Sequence, residues 1–234
     1  MRIRPRRSVL YMPGANERAL GKAKALPADS LILDLEDSVA PEAKEAARDS
    51  VCAAVKGGGY GRRELVIRPN AIETHWGMDD LRAAAAAAPD AILVPKVSQP
   101  GDIVTVAKVL GSIGAQPKTR LWAMMETPSS ILNVREIAAL GADPDNRLAC
   151  LVMGTNDLLK ESRARALHNR VAVVPWLAMA IVAARAYGLD ILDGVYNDYR
   201  DDAGVREECE HGRTLGLDGK TLSHPSQVEP CNEI

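Results

Sequence analysis

Eight short apolar runs, most of them followed by a stretch of helical length, constrain this chain more than any other feature. They read SVLYMPG, SLILDLED, ELVIRPN, AILVPKV, RLWAMMET, LACLVMG, DILDGVY and GKTLSHP. Most are continuous rather than alternating, the pattern of strands covered on both faces. Of the intervening stretches, PEAKEAARDSVCAAV opens on Pro41, which suits a first helical turn. VPWLAMAIVAARAYG carries Pro175 near its start and Gly188 at its end, a start and a stop signal. The alanines Ala83 to Ala88 read as the end of another helix. Four central runs end in conspicuous polar residues, Arg68, Lys96, Glu126 and Asp157, separated by 28, 30 and 31 residues. That is the length of one strand-loop-helix-loop unit. Eight strands alternating with helices favour a (β/α)8 barrel over an open doubly wound sheet. MPGANERA is no GxGxxG loop, and nothing resembles GxxxxGK[ST]. Without a Gly/Ser- or Pro-rich linker, residues 1–234 read as one domain.

Composition narrows the function classes. At 47% hydrophobic residues, 234 residues can bury a large core. A formal net charge of -2, with no basic stripe, argues against a nucleic-acid partner. The N-terminal Arg2, Arg4, Arg6 and Arg7 resemble a signal n-region only superficially, because the apolar stretch behind them stops at Pro13 and Gly14. No run approaches the roughly 18 apolar residues of a membrane span. The four cysteines are scattered, with no CxxC pair, so reduced thiols and a cytoplasmic location are expected.

In such barrels the loops at the C-terminal strand ends build the active site. Glu126 and Asp157 read as closing consecutive strands, and neighbouring strands lie about 4.8 Å apart, so both carboxylates can reach one cation. Two carboxylates with positions left for water and substrate oxygens fit Mg2+ better than zinc. The alternative is that each caps the helix after it. Arg68 presents a planar guanidinium able to grip a carboxylate or oxo acid at two points, or to pair with the acids of strand two, or both. LILDLED places Asp34, Glu36 and Asp37 around the end of strand two; Asp34 and Glu36 share parity, with Asp37 opposite or in the loop. So many acids repel unless a cation sits among them. Lys96 is either a Schiff-base lysine or a partner for these carboxylates. His75, His168, His211 and His224 show no metal-ligand spacing, and His224 reads as fixing the loop after strand eight. No GxSxG elbow is present.

These segments, together with RRSVLYMPGANERALGKA, WGMDDL, METPSSILN, MGTNDLLKE and LGLDGKTLSHPSQV, resemble the citrate lyase β-subunit-like (CitE-like) proteins of the HpcH/HpaI aldolase superfamily, which includes malyl-CoA lyases. The resemblance covers nearly the whole chain. It implies Mg2+ on Glu126 and Asp157, Arg68 holding the carboxylate and keto oxygen of an oxo acid, and Glu36 and Asp37 supporting metal-bound water and Arg68. It also implies that Arg7, Arg18 and Lys22 lie near the CoA phosphates and that the protein is a trimer or hexamer. Longer relatives continue past HPSQ into a C-terminal lid carrying a catalytic aspartate. This sequence ends at Ile234, eight residues past Ser226, so that acid has no counterpart in it. The implied reaction is reversible cleavage of a 3-hydroxyacyl thioester, carried by CoA or an acyl-carrier protein, into an oxo acid and an acetyl thioester. Rival readings are thioester hydrolysis on the same metal site, a Lys96 imine aldolase, and a complex-dependent oxo-acid-binding subunit.

Overall fold

The computed structural model describes residues 4–165 and 170–234; Arg2 and His168 lie outside them. All eight apolar runs are strands: β1 Ser8–Pro13, β2 Ser30–Asp34, β3 Glu64–Arg68, β4 Ala91–Val94, β5 Arg120–Met125, β6 Leu148–Met153, β7 Asp190–Asp193 and β8 Gly219–Leu222. They pair in parallel, in chain order, and β1 closes on β8 through Ser8 opposite Lys220. The helices, α1 Glu17–Ala23, α2 Lys44–Gly57, α3 Gly77–Ala87, α4 Pro100–Ser112, α5 Pro128–Leu132, α6 Val134–Ala139, α7 Thr155–Glu161, α8 Val174–Ala186, α9 Asp202–Leu215 and α10 Val228–Glu233, follow the strands. The fold is a (β/α)8 barrel.

The continuous apolar runs have a direct cause, since each strand is buried on both faces. Val9, Ile32, Val66, Leu93, Trp122, Val152 and Leu192 fill the barrel interior. Their alternate neighbours Leu10, Leu31, Ile67, Ile92, Leu151 and Ile191 belong to the larger core beneath the helices. The expected helix limits hold: a short 3-10 turn at Pro41–Ala43 leads into α2, α8 ends before Gly188 at φ 68°, and α3 stops where Ala88 turns left-handed at φ 55°. Ala88 stands where glycine is usual, with Pro89 behind it to prevent continuation. Among the described residues no helix is long and apolar enough to cross a membrane, and all four cysteines are unpaired and buried.

The N-terminal end of the barrel is plugged by charge. Arg6 donates to both oxygens of Glu64 at 2.7 and 2.8 Å, pairs with Asp190, and lies 5.0 Å over the Trp122 ring. A second ionic cluster lies outside the barrel wall under α9. Asp193 accepts from Arg170 at 2.9 and 2.5 Å and from Lys220 at 3.1 Å, while Lys220 also donates to Glu208 at 2.5 Å. Burial alone pushes the Asp193 carboxyl upward, but Lys220 and Arg170 outweigh it and hold it below the usual range. Asp193→Ala leaves two buried cations short of a counter-charge, so we expect a loss of about 3–5 kcal/mol in urea unfolding. Because the folded value is depressed, the stability Asp193 contributes is complete above the unfolded value of about 3.9 and declines as pH falls through the folded one.

Candidate active site

Strand parity builds the mouth. Asp34 and Arg68 lie side by side in the β2–β3 register, each two residues past an interior side chain, Ile32 and Val66. Arg68 grips Asp34 at two points, Nε to Oδ1 at 2.6 Å and Nη2 to Oδ2 at 2.8 Å. Its remaining nitrogen, Nη1, is 2.9 Å from Glu36 Oε2 and 3.5 Å from Asp37 Oδ2. The ion-pair reading of Arg68 is therefore realised, with Asp34, not Glu36 or Asp37, as its main partner. The planar edge expected to clamp an oxo acid is occupied, leaving Nη1 and the outer Nη2 proton. Burial works to lower the guanidinium pKa, but the Asp34 carboxylate outweighs it, and Arg68 stays charged.

Glu36 is partly buried, and its shielded Oε2, though within ion-pair distance of Arg68, makes no aligned hydrogen bond. Burial first, then the charges of Asp37 and Glu126, push its carboxyl up to about 7 against the pull of Arg68. Of the carboxyls in this cluster it is the one poised nearest neutral pH.

Glu126 directly follows β5 and is almost fully buried. It does not cap α5, whose cap is Thr127, accepting from the Ser130 N–H at 3.0 Å. Instead Glu126 Oε1 accepts from the backbone N–H of Lys96 at 2.8 Å, and that contact holds Lys96 in a left-handed conformation at φ 52°. Such a conformation is costly outside glycine and recurs at functional sites. Asp157 does not close β6. That strand ends at Met153, and Asp157 sits in the first turn of α7, where Gly154 is a cap without a side chain. A Cβ on Gly154 would fall 2.3 Å from Glu126 Cβ and 3.0 Å from its Oε2, so the turn that brings Asp157 to Glu126 needs glycine.

The Lys96 ammonium bonds Asp157 and lies 3.5 Å from Glu126 Oε1. Burial tends to lower its pKa, but Asp157, Glu126 and Glu36 outweigh it and hold it above the ordinary lysine value. A Schiff-base lysine needs the opposite shift. Burial pushes Glu126 up to about 6 despite Lys96, whereas at Asp157 the Lys96 bond outweighs burial and holds the carboxyl below its usual range.

A cavity of about 430 Å³ opens here, lined by Tyr11, Asp34, Asp37, Arg68, Met124, Glu126 and Asp157 among others. Glu36 and Lys96 flank it. Among the described residues no cluster of three or more His, Cys, Asp or Glu forms a closed cage. Glu126 and Asp157 instead offer an open, all-oxygen pair around a position already favourable to positive charge, which fits Mg2+ with its retained waters. For both to ligate, the Lys96 ammonium must withdraw from Asp157.

Other expected residues fall elsewhere. Arg7 precedes β1 and bonds Asp29 at 2.9 Å and the Asn232 carbonyl at 3.3 Å. It lines an 800 Å³ cavity with Arg4, Arg62 and Arg63 at the opposite end of the barrel. A strand length, about 20 Å, separates it from the mouth. Arg18 and Lys22 are exposed on α1, which starts at the mouth end of β1; Lys22 lies one turn further down. His224 behaves as expected: its Nδ1 accepts from the Ser226 N–H at 3.2 Å and its ring stacks on Tyr199 at 4.4 Å.

The model of the HpcH/HpaI aldolase/citrate lyase family matches residues 7–225. The chain belongs to that family. It is similar to a (3S)-malyl-CoA thioesterase of Cereibacter sphaeroides, 49% identical over 230 residues, which covers 98% of this chain and 77% of the relative. It is also similar to citrate lyase subunit beta of Escherichia coli, 33% identical over 100% of this chain and 78% of that one. Among solved structures, CitE from Mycobacterium tuberculosis in complex with magnesium, acetoacetate and coenzyme A superposes with a TM-score of 0.81 at 27% identity, covering 97% of this chain and 79% of that one. The HpcH/HpaI barrel thus carries its charged cluster at the strand ends where this fold places catalysis.

Glu126→Gln and Asp157→Asn should each weaken Mg2+ binding, measured by calorimetric titration, by tenfold or more, about 1.4 kcal/mol. Since Glu126 takes up its proton near pH 6, affinity should fall as pH drops from 7 through that value. The sign for stability is opposite. A carboxyl raised by folding contributes stability only at low pH and loses it as pH rises, so metal-free Glu126→Gln should unfold no earlier than the parent at pH 7. Unchanged metal affinity in either variant removes that residue from the ligand set.

Proposed function

We propose that this HpcH/HpaI family member is a Mg2+-dependent carbon–carbon lyase that acts on a 3-hydroxyacyl thioester of the malyl-CoA or citryl-CoA kind. The observation that carries the reading is the mouth itself. Arg68 and the Glu126–Asp157 pair line one cavity large enough for an oxo acid and the thioester carbon beside it, with Glu36 against Arg68 at its flank. Magnesium, when bound by Glu126 and Asp157, supplies Lewis-acid stabilisation of the oxygen that passes between hydroxyl and ketone. Arg68 faces the same oxygen and the neighbouring carboxylate with Nη1 and the outer Nη2 proton, and Asp34 fixes its plane. Glu36, poised near 7, takes the hydroxyl proton in cleavage, and that proton ends on the carbon of the departing acetyl thioester enolate; condensation runs the same transfer in reverse. Asp37, half open to the cavity, supports Glu36 and Arg68. Lys96 remains an ammonium that pairs with Asp157 and balances charge. Arg18 and Lys22 meet the CoA phosphates from α1, and their exposure supports the role. The unpaired cysteines support a cytoplasmic setting. Leu132, Met179 and Val182, exposed on the outside of the helical layer, support a homo-oligomer.

The 49% identity to a malyl-CoA thioesterase favours a second reading, hydrolysis of the same thioester at the same site. Products decide between them. With malyl-CoA and Mg2+, cleavage yields glyoxylate and acetyl-CoA, whereas hydrolysis yields malate and free CoA. EDTA should abolish turnover, and borohydride with an oxo acid should leave the mass of the protein unchanged. Turnover that survives chelation, with a reduced adduct on Lys96, replaces both readings by an imine mechanism.

A further inference from the structure

The one ring in the mouth is Tyr11, on β1. Its face lies over the Arg68 guanidinium, 4.9 Å from ring centre to carbon, and the side chain lines the mouth cavity. Its hydroxyl has a poor partner: the thioether sulfur of Met124 at 3.7 Å, a weak acceptor. The charged groups that line the cavity, Asp34, Asp37, Arg68, Glu126 and Asp157, each have a charged partner. A phenol placed at that depth without a strong acceptor is under-satisfied unless something in the cavity takes its proton.

We propose that Tyr11 is a substrate-contacting residue whose hydroxyl donates a hydrogen bond to the carboxylate of the oxo-acid portion, beside Arg68. This deepens the reading above and rests on it. The need follows from Arg68. With Nε and one Nη2 proton committed to Asp34, and Nη1 already facing Glu36 at 2.9 Å and Asp37 at 3.5 Å, the guanidinium has only part of its remaining edge free for a second carboxylate. A planar carboxylate entering the cavity meets an incomplete set of donors, and Tyr11 stands on the open side of the same guanidinium. Burial raises the Tyr11 pKa above the ordinary phenol value, with Arg68 opposing only in part, so the group is a neutral donor at neutral pH. On binding, the hydroxyl exchanges a thioether for a charged oxygen.

The decisive variant is Tyr11→Phe, which keeps the ring over Arg68 and removes only the hydroxyl. Calorimetric titration with pyruvate and oxaloacetate in saturating Mg2+ should show Kd rising about tenfold. The unfolding midpoint and the Mg2+ affinity should stay unchanged, and with malyl-CoA the KM should rise while kcat changes less than threefold. Tyr11→Leu, which also removes the stacking that steadies Arg68, should lose more than tenfold. Arg68→Lys separates the proposal from the reading beneath it. If Tyr11→Phe binds oxo acids as tightly as the parent while Arg68→Lys does not, the Tyr11 contact is wrong and the oxo-acid site stands. If the parent itself binds no oxo acid with Mg2+, both fall. An equal loss of Mg2+ affinity in Tyr11→Phe marks a purely structural role and overturns the contact.

Discussion

Closing eight parallel strands into a barrel puts every strand's C-terminal end on one rim, and the alternation of side chains decides which residue of each run turns inward there. In this chain the inward sequence on β2 is Ser30, Ile32, Asp34, and on β3 it is Glu64, Val66, Arg68. The charged ends at the lower rim answer to Arg6, those at the upper rim answer to each other, and the apolar residues between them insulate the two. Without the apolar layer around Trp122 the mouth charges would be open to water from below, and neither Glu36 nor Glu126 would have its proton affinity raised.

The charge balance of that mouth is uneven. Among the described residues Asp34, Glu36, Asp37, Glu126 and Asp157 form ion pairs with Arg68 and Lys96, and Asp157 also feels Lys160. Asp34 and Asp157 hold the best cationic partners, Asp34 being depressed by Arg68 against burial and Asp157 by Lys96. The excess falls on Glu36 and Glu126, the two driven upward. A divalent ion between Glu126 and Asp157 is the simplest way to relieve it, and the proton on Glu36 is the mobile remainder.

The eight strands were legible because strands buried on both faces are apolar without a break, whatever packs on them. Arg68, Glu126 and Lys96 were legible because a polar residue at the end of such a run has no reason to be there except the rim. Three things were not. Asp157 reads as a strand end because sequence does not show where Gly154 lets the chain turn, and the chain enters α7 before reaching it. Arg7 was tied to the CoA phosphates by resemblance alone, and spacing did not show that a residue before a strand lies at the end of the barrel opposite the mouth. Arg68's commitment to Asp34 could not be apportioned from spacing, since three acids of DLED lie within reach. The Asp193–Arg170–Lys220 cluster had no signal either. Its members come from segments far apart in sequence, and a single Asp or Lys at a strand end looks the same whether it faces water or a buried partner.

Cleavage and hydrolysis demand different things of this rim, and the comparison isolates what each depends on. Both need the acid half anchored and negative charge stabilised, the parts proposed above for Arg68 and the Glu126–Asp157 pair. Cleavage needs a base at the hydroxyl, and Glu36 lies against Arg68 with a proton affinity matched to neutral pH. Hydrolysis needs water delivered at the thioester carbonyl, and Asp157, Asn156 and Ser223 also line the cavity. The carboxyls driven upward, Glu36 and Glu126, lie beside Arg68 and Lys96. A relative of nearly half-identical sequence that hydrolyses malyl-CoA therefore points to the access of water from the outer lip, rather than to the charged floor, as the feature on which the outcome turns.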